Sequence, residues 1–200
     1  MQFRRIVVVS AYIAASPLLV SAHPIKGVGD FYAGMLHPLI SLDFVLPMIA
    51  LALFAGQQQR KAATAAVASL PTALVIGAAV PAVFYCSFAA PEWLGPALMS
   101  VAGLCVALSL RAHTMVAAAV FAIFGFILGI SQGLEITPAM SASKFILGVG
   151  CCGLLLTTYG IGFVRRLRRP WTLVAVRVAG SWVAAAGLMV LALSGSHAPR

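Results

Sequence analysis

The sequence predicts an all-α membrane protein, a bundle of about six transmembrane helices that follows an N-terminal signal peptide. Two observations lead to this prediction. Of the 200 residues, 62% are hydrophobic and only 8% are charged, whereas soluble domains carry about 25% charged residues. The apolar residues also come in long runs separated by short polar breaks. This pattern is typical of successive membrane crossings and not of one soluble core.

The N-terminus has the pattern of a signal peptide. Arg4 and Arg5 precede the apolar stretch 6–20, and small residues follow at the cleavage-site positions up to Ala22. The predicted domains are therefore a signal peptide over residues 1–22 and a transmembrane domain over residues 23–200, with His23 as the first residue of the mature chain. An uncleaved anchor helix is the alternative interpretation of the same stretch.

Six apolar runs follow the signal peptide, and each is near the ~20 residues that a helix needs to cross hydrocarbon. They cover residues 36–55, 62–85, 94–110, 114–134, 144–164 and 172–193. We therefore expect the lipid bilayer to be the main partner of this chain.

The formal net charge of +9 reports membrane topology and not nucleic-acid binding, because the basic residues form no patch with interleaved aromatic residues. Lys26, Lys144 and Arg200 lie on one side of the predicted bundle. The first, third and fifth loops carry the larger basic group, Arg60, Lys61, Arg111, Arg165, Arg166, Arg168 and Arg169. The positive-inside rule places these loops in the cytoplasm and both mature termini on the other side of a bacterial-type inner membrane.

Ionisable groups inside a membrane are costly unless they are paired or hydrated, so Asp43 in the first run is a candidate site residue. Pro47 follows four residues later and has no N–H, which leaves the Asp43 carbonyl without its helical donor. A carboxylate and a free carbonyl can bind a cation in a broken helix, although a simple kink with a paired Asp43 is an equal alternative. His37 begins the same run, as a cap or as a ligand. On a regular helix it points about 120° away from Asp43.

The fourth run carries a second polar group and a stripe of small residues. Gln132 and Glu135 follow Leu128 on one helical face, and Glu135 lies near the outer end, where a solvated position and a buried site are both open. Three glycines recur at four-residue spacing and predict close packing against another helix, namely Gly125, Gly129 and Gly133.

Two further observations concern chemistry. His23 at a mature N-terminus would offer an amine and an imidazole to a transition metal. The motifs HExxH, the P-loop and DxDxDG do not occur in the sequence, so we expect no enzymatic activity.

The run from Gly29 to Leu39, with His37 and Pro38, resembles the first membrane segment of the HupE/UreJ family of hydrogenase and urease accessory membrane proteins. The similarity continues to Asp43 and returns at the Gly133-Leu134-Glu135 element. Members of that family are regarded as nickel or cobalt permeases. The resemblance implies a permease-like protein with nickel or cobalt as substrate and no certain cofactor. It also implies metal ligands at His37, Asp43 and Glu135. The residues discussed above add Gln132, Pro47 and His23 as further polar candidates.

The chain departs from the family pattern at three imidazoles. The family pattern has a histidine after the aspartate, where this chain has Phe44, and histidines where this chain has Leu128 and Gln132. Imidazole suits nickel, and the remaining oxygen ligands are harder. The alternative function is therefore a non-transporting membrane accessory or scaffold protein that has lost its metal-ligand histidines.

Overall fold

The computed structural model describes residues 29–84, 91–167 and 169–196, so the predicted signal peptide and His23 lie outside the described residues. Within the described part of the chain the regular structure is helical throughout. The helices are α1 (Asp30–Ile40), α2 (Leu42–Gln57), α3 (Arg60–Phe84), α4 (Leu94–Ala107), α5 (Thr114–Gly133), α6 (Ala142–Arg166) and α7 (Pro170–Ser196).

Four of these helices, α3, α5, α6 and α7, are long and apolar enough to cross a bilayer. The all-α membrane bundle is therefore confirmed. The first and third predicted spans differ from the prediction. Helices α1 and α2 reach the required length only as a pair and are bent by 81°, and α4 has 14 residues, which is about 21 Å at 1.5 Å per residue. The count of six complete spans stays a prediction.

The first apolar run is broken at Ser41. This residue is extended, with φ −84° and ψ 119°, and its N–H donates to the His37 carbonyl. Its own carbonyl accepts from Phe44 and Val45 at the start of α2. Pro38 and Pro47 flank the break, and each removes one helical hydrogen bond. A continuous helix is weakened on both sides of Ser41, which allows the chain to turn there.

Helix α4 ends early because its C-terminus is closed by a Schellman motif. Leu110 donates to the Cys105 carbonyl at 3.2 Å, and Ser109, with a φ of 50°, donates to the Val106 carbonyl at 3.0 Å. Side chains from other helices bind the last carbonyls as well. Gln57 Nε2 donates to the Val106 carbonyl at 3.1 Å, and Arg177 Nε donates to the Ala107 carbonyl at 2.9 Å.

Small residues set how the helices pack. A Cβ added at Gly125, Gly129 or Gly133 would collide with backbone carbonyls of α3, so α3 and α5 lie backbone to backbone. Gly34 of α1 and Gly148 of α6 approach each other's helices in the same way. In the resulting order of neighbours α3 lies between α5 and α6, α6 also contacts α1 and α2, and α4 lies between α2 and α7.

The two ends of the bundle differ in charge. At one end, here called the basic end, the C-termini of α2, α4 and α6 meet the N-termini of α3, α5 and α7, as the contacts of Gln57 with Val106 and of Gly56 with Val164 show. The exposed basic side chains of the connecting segments lie there. The opposite or acidic end holds all four carboxylates of the chain, Asp30, Asp43, Glu92 and Glu135, together with Lys144.

Candidate functional site

His37 lies at the acidic end, near the C-terminus of α1, and is half-buried between two aromatic rings. The centroid of its ring is 6.0 Å from that of Phe145 at the start of α6 and 6.4 Å from that of Phe44 at the start of α2. Phe145 is buried in the core. The imidazole is therefore positioned by packing against the start of α2, just after the break at Ser41, and against the start of α6.

Glu135 comes close enough to His37 for an electrostatic interaction between the two side chains. It belongs to the turn that ends α5, where the Glu135 N–H donates to the Gln132 carbonyl at 3.2 Å and Ile136 donates to Gly133 at 3.2 Å. These bonds fix the backbone of Glu135 relative to the end of the helix. The structure thus places two of the three residues predicted as metal ligands, the half-buried His37 and the exposed Glu135, near each other at the acidic end.

Asp43 takes a different direction. It is exposed in the first turn of α2, and a Cβ added at Gly95 of α4 would lie 3.8 Å from its own Cβ. Asp43 therefore lies towards α4, while the next residue, Phe44, contacts His37. Pro47 is buried inside α2 and offers no N–H to the Asp43 carbonyl. Within residues 29–84, 91–167 and 169–196, no three His, Cys, Asp or Glu side chains gather closely enough to hold a metal ion.

Gln132 is the most unusual polar residue of the site. It is only 1% exposed, and among the described residues neither its Oε1 nor its Nε2 has a hydrogen-bond partner. A buried polar atom without a partner costs about 1–3 kcal/mol. The other two such atoms in the described chain, Gln57 Oε1 and Ser69 Oγ, belong to half-buried residues.

Gln58 shows how the same side chain behaves when its role is structural. It is 5% exposed, but its Nε2 donates to the carbonyls of Phe54 and Leu110, and its Oε1 accepts from the Ala112 N–H at 3.0 Å. The fold therefore satisfies one buried amide fully and leaves that of Gln132 unsatisfied. A buried polar group of this kind calls for a specific explanation, such as a ligand or an ion.

Sequence reasoning missed two contacts that shape this end of the bundle. Asp30 Oδ2 accepts the Ser141 N–H at 2.9 Å and so ties the start of α1 to the segment before α6. Phe145 supplies one of the two rings beside His37. The available signal was weak in both cases, because an acidic residue in a first helical turn and an apolar residue in a span are common features.

The fold defines a class of protein: a multi-pass α-helical membrane protein with a broken helix at the end of the bundle that carries His37, Asp43 and Glu135. The family can be stated as well. The sequence profile described as HupE / UreJ protein matches residues 11–190, and the chain belongs to this family.

A relative of known name covers nearly the same length. Protein HupE from Rhizobium leguminosarum bv. viciae is 29% identical to this chain over 194 residues, which span 96% of this chain and 99% of that protein. No solved structure matches this chain.

Proposed function

We propose that the protein is a small permease-like membrane protein of the HupE/UreJ type that takes a divalent transition-metal cation, nickel or cobalt, as its substrate at the acidic end. The observation that carries this proposal is the buried amide of Gln132, whose two polar atoms lack partners in the part of the chain that the structure describes. A cation bound at Oε1 would supply the missing interaction. Family membership supports nickel or cobalt over other divalent ions.

The ligand chemistry is mixed. His37 offers one imidazole, Glu135 a carboxylate and Gln132 an amide oxygen, and Asp43 offers a second carboxylate across the bend between α1 and α2. Imidazole favours nickel and cobalt, whereas carboxylate and amide oxygens also accept manganese or magnesium. We therefore expect weaker discrimination between divalent ions than a site with several imidazoles would have.

The proposed orientation follows from charge. The positive-inside rule puts the basic end in the cytoplasm, so the acidic end with His37 and Glu135 faces the other side of the inner membrane. Four carboxylates at that end would raise the local concentration of cations before they reach the site. In this arrangement the substrate meets the site from the non-cytoplasmic side.

The proposal is tested by titrating the detergent-solubilised full chain with nickel in a calorimeter. We expect Asp43→Asn and Glu135→Gln to weaken nickel binding, Asp43→Asn more strongly, because that carboxylate lies beside the carbonyl released by Pro47. Glu92→Gln is the matched control, since it removes an exposed carboxylate from the same end. Parental affinity in both Asp43→Asn and Glu135→Gln would reject the metal site.

Gln132→Met separates a ligand role from a structural one. An apolar side chain of similar shape removes two unsatisfied buried atoms, so the metal-free protein should unfold at the same or a higher temperature. The nickel affinity should fall by at least about tenfold, which corresponds to about 1.4 kcal/mol. A variant with lower stability and unchanged nickel affinity would show that the amide serves packing alone.

A second candidate function is a membrane accessory or scaffold protein that does not transport. This second function is favoured by the surroundings of two residues that stand where the family pattern has histidine. Leu128 is 2% exposed in the hydrophobic core, and Phe44 packs against His37. Nickel accumulation in cells that express the parent and the Asp43→Asn variant discriminates the two functions. Accumulation that exceeds that of the variant supports the permease, and equal accumulation supports the accessory protein.

A further inference from the structure

A cavity of about 220 Å³ opens at the basic end, which is the opposite end of the bundle from the candidate metal site. It lies where the end of α2, the segment after α4, the end of α6 and the start of α7 meet. Its lining consists of Gly56, Gln57, Ser109, Arg111, Val164, Leu173 and Val176. We propose that this cavity binds the phosphate-bearing headgroup of an anionic phospholipid. The proposal does not depend on the metal site.

The lining has a polar part and an apolar part, and they come from different elements. Gln57, at the end of α2, supplies an amide, and the segment after α4 supplies a hydroxyl and a guanidinium from Ser109 and Arg111. Helices α6 and α7 supply only aliphatic side chains. A headgroup with the first methylenes of its acyl chains has this same division between a polar and an apolar part.

Arg111 has no acidic counterpart nearby. All four side-chain carboxylates of the chain are placed at the acidic end, so an anion that pairs with this exposed guanidinium would come from outside the protein. Exposed Arg60, Arg165, Arg166 and Arg169 add positive charge to the same end. Arginine binds phosphate oxygens with paired N–H donors, which makes a phosphodiester a fitting partner.

The amide oxygen of Gln57 requires that the ligand carry a hydrogen-bond donor. Its Nε2 donates to the Val106 carbonyl at 3.1 Å, whereas its Oε1 is buried and has no hydrogen-bond partner within residues 29–84, 91–167 and 169–196. A ligand that fills the cavity should therefore carry a hydrogen-bond donor besides its phosphate. The glycerol hydroxyls of phosphatidylglycerol meet this need.

The cavity also lies at the depth where headgroups are expected. Trp171 is 63% exposed at the start of α7, two residues before Leu173 in the lining. Exposed tryptophan at the end of a span is typical of the membrane interface. The positive-inside rule puts this end at the cytoplasmic leaflet, where anionic lipids attract basic side chains.

Native mass spectrometry of the full chain in detergent with equal amounts of phosphatidylglycerol and phosphatidylcholine tests the proposal. We expect the parent to retain phosphatidylglycerol preferentially. Arg111→Gln should lower that preference about fivefold, the effect of about 1 kcal/mol for one basic residue near anionic lipid. Arg111→Lys should keep most of it, and Arg60→Gln, which removes an exposed charge of the same end outside the cavity, should lower it clearly less than Arg111→Gln does.

Each contrary outcome has a defined meaning. Equal losses in Arg111→Gln and Arg60→Gln would indicate diffuse charge attraction and overturn the site. Displacement of the lipid by millimolar inorganic phosphate would indicate a free-anion site and overturn the lipid assignment. A thermal unfolding curve of Arg111→Gln that matches the parent confirms that the variant is folded, which we expect because the Arg111 side chain is exposed.

Discussion

At the scale of single residues, the candidate site is decided by what stands beside His37. Its ring meets Phe44 and Phe145, while Glu135 approaches within range of electrostatic interaction. Phe44 occupies the place where the family pattern has a histidine. His37 therefore has an apolar ring beside it at the position where the family pattern would supply a second imidazole.

We expect Phe44→His to strengthen nickel binding by at least about tenfold, or about 1.4 kcal/mol. The centroids of His37 and Phe44 are 6.4 Å apart, and two imidazoles at about this separation can share one ion with metal–nitrogen distances of about 2.1 Å. Calorimetric titration measures the change. Phe44→Leu is the control and should show no gain, and a Phe44→His affinity equal to that of the parent would place His37 outside any metal site.

At the scale of helices, close packing depends on glycine. The glycine stripe of α5 lies against α3. A Cβ added at Gly129 would overlap with the carbonyl oxygen of Leu74 and crowd the Cα of Gly77. In a bilayer such close backbone contact replaces much of the driving force that water gives to soluble proteins. Helices α1 and α6 meet through Gly34 and Gly148 in the same manner, so two of the contacts around the candidate site depend on residues without side chains.

Gly129→Leu should destabilise the bundle far more than Leu128→Ala, because a backbone carbonyl of α3 cannot move aside for a large side chain. Gly162→Leu on α6 is the matched control, since no atom lies within 4 Å of its Cβ position. Thermal unfolding in detergent should show a strong loss for Gly129→Leu and little change for Gly162→Leu. Equal midpoints for Gly129→Leu and the parent would refute the close contact of α5 with α3.

At the scale of the whole molecule, charge divides the bundle into two ends. Carboxylates collect at the end with His37, and the exposed arginines of the connecting segments collect at the end with the cavity. Such separation orients a membrane protein and gives each end its own chemistry. A mature chain that begins at His23 stays a prediction.

Reporter fusions test the topology that follows from this charge division. Fusions after Arg60, Arg111 and Arg169 should report the cytoplasm, because these residues belong to the basic end. Fusions after Glu92 and Pro138 should report the opposite side and serve as the matched set. A cytoplasmic signal from Glu92 or an outside signal from Arg111 would contradict the proposed orientation.

The sequence alone determined the class of the protein, the place of each apolar segment and the glycine stripe of α5. These features depend on local composition and spacing, since hydrocarbon selects apolar runs of sufficient length wherever they occur. The predicted runs 114–134 and 144–164 accordingly match α5 at Thr114–Gly133 and α6 at Ala142–Arg166 closely.

Only the tertiary structure decided the break at Ser41, the early end of α4 and the state of the polar residues. An apolar run can end as a helix where other donors bind its last carbonyls. The last carbonyls of α4 accept hydrogen bonds from Gln57 of α2 and Arg177 of α7. Glu135 lies near His37 although the two are 98 residues apart, and the amide of Gln132 is buried without a hydrogen-bond partner among the described residues. Such relations join distant parts of the chain, so no local pattern contains them.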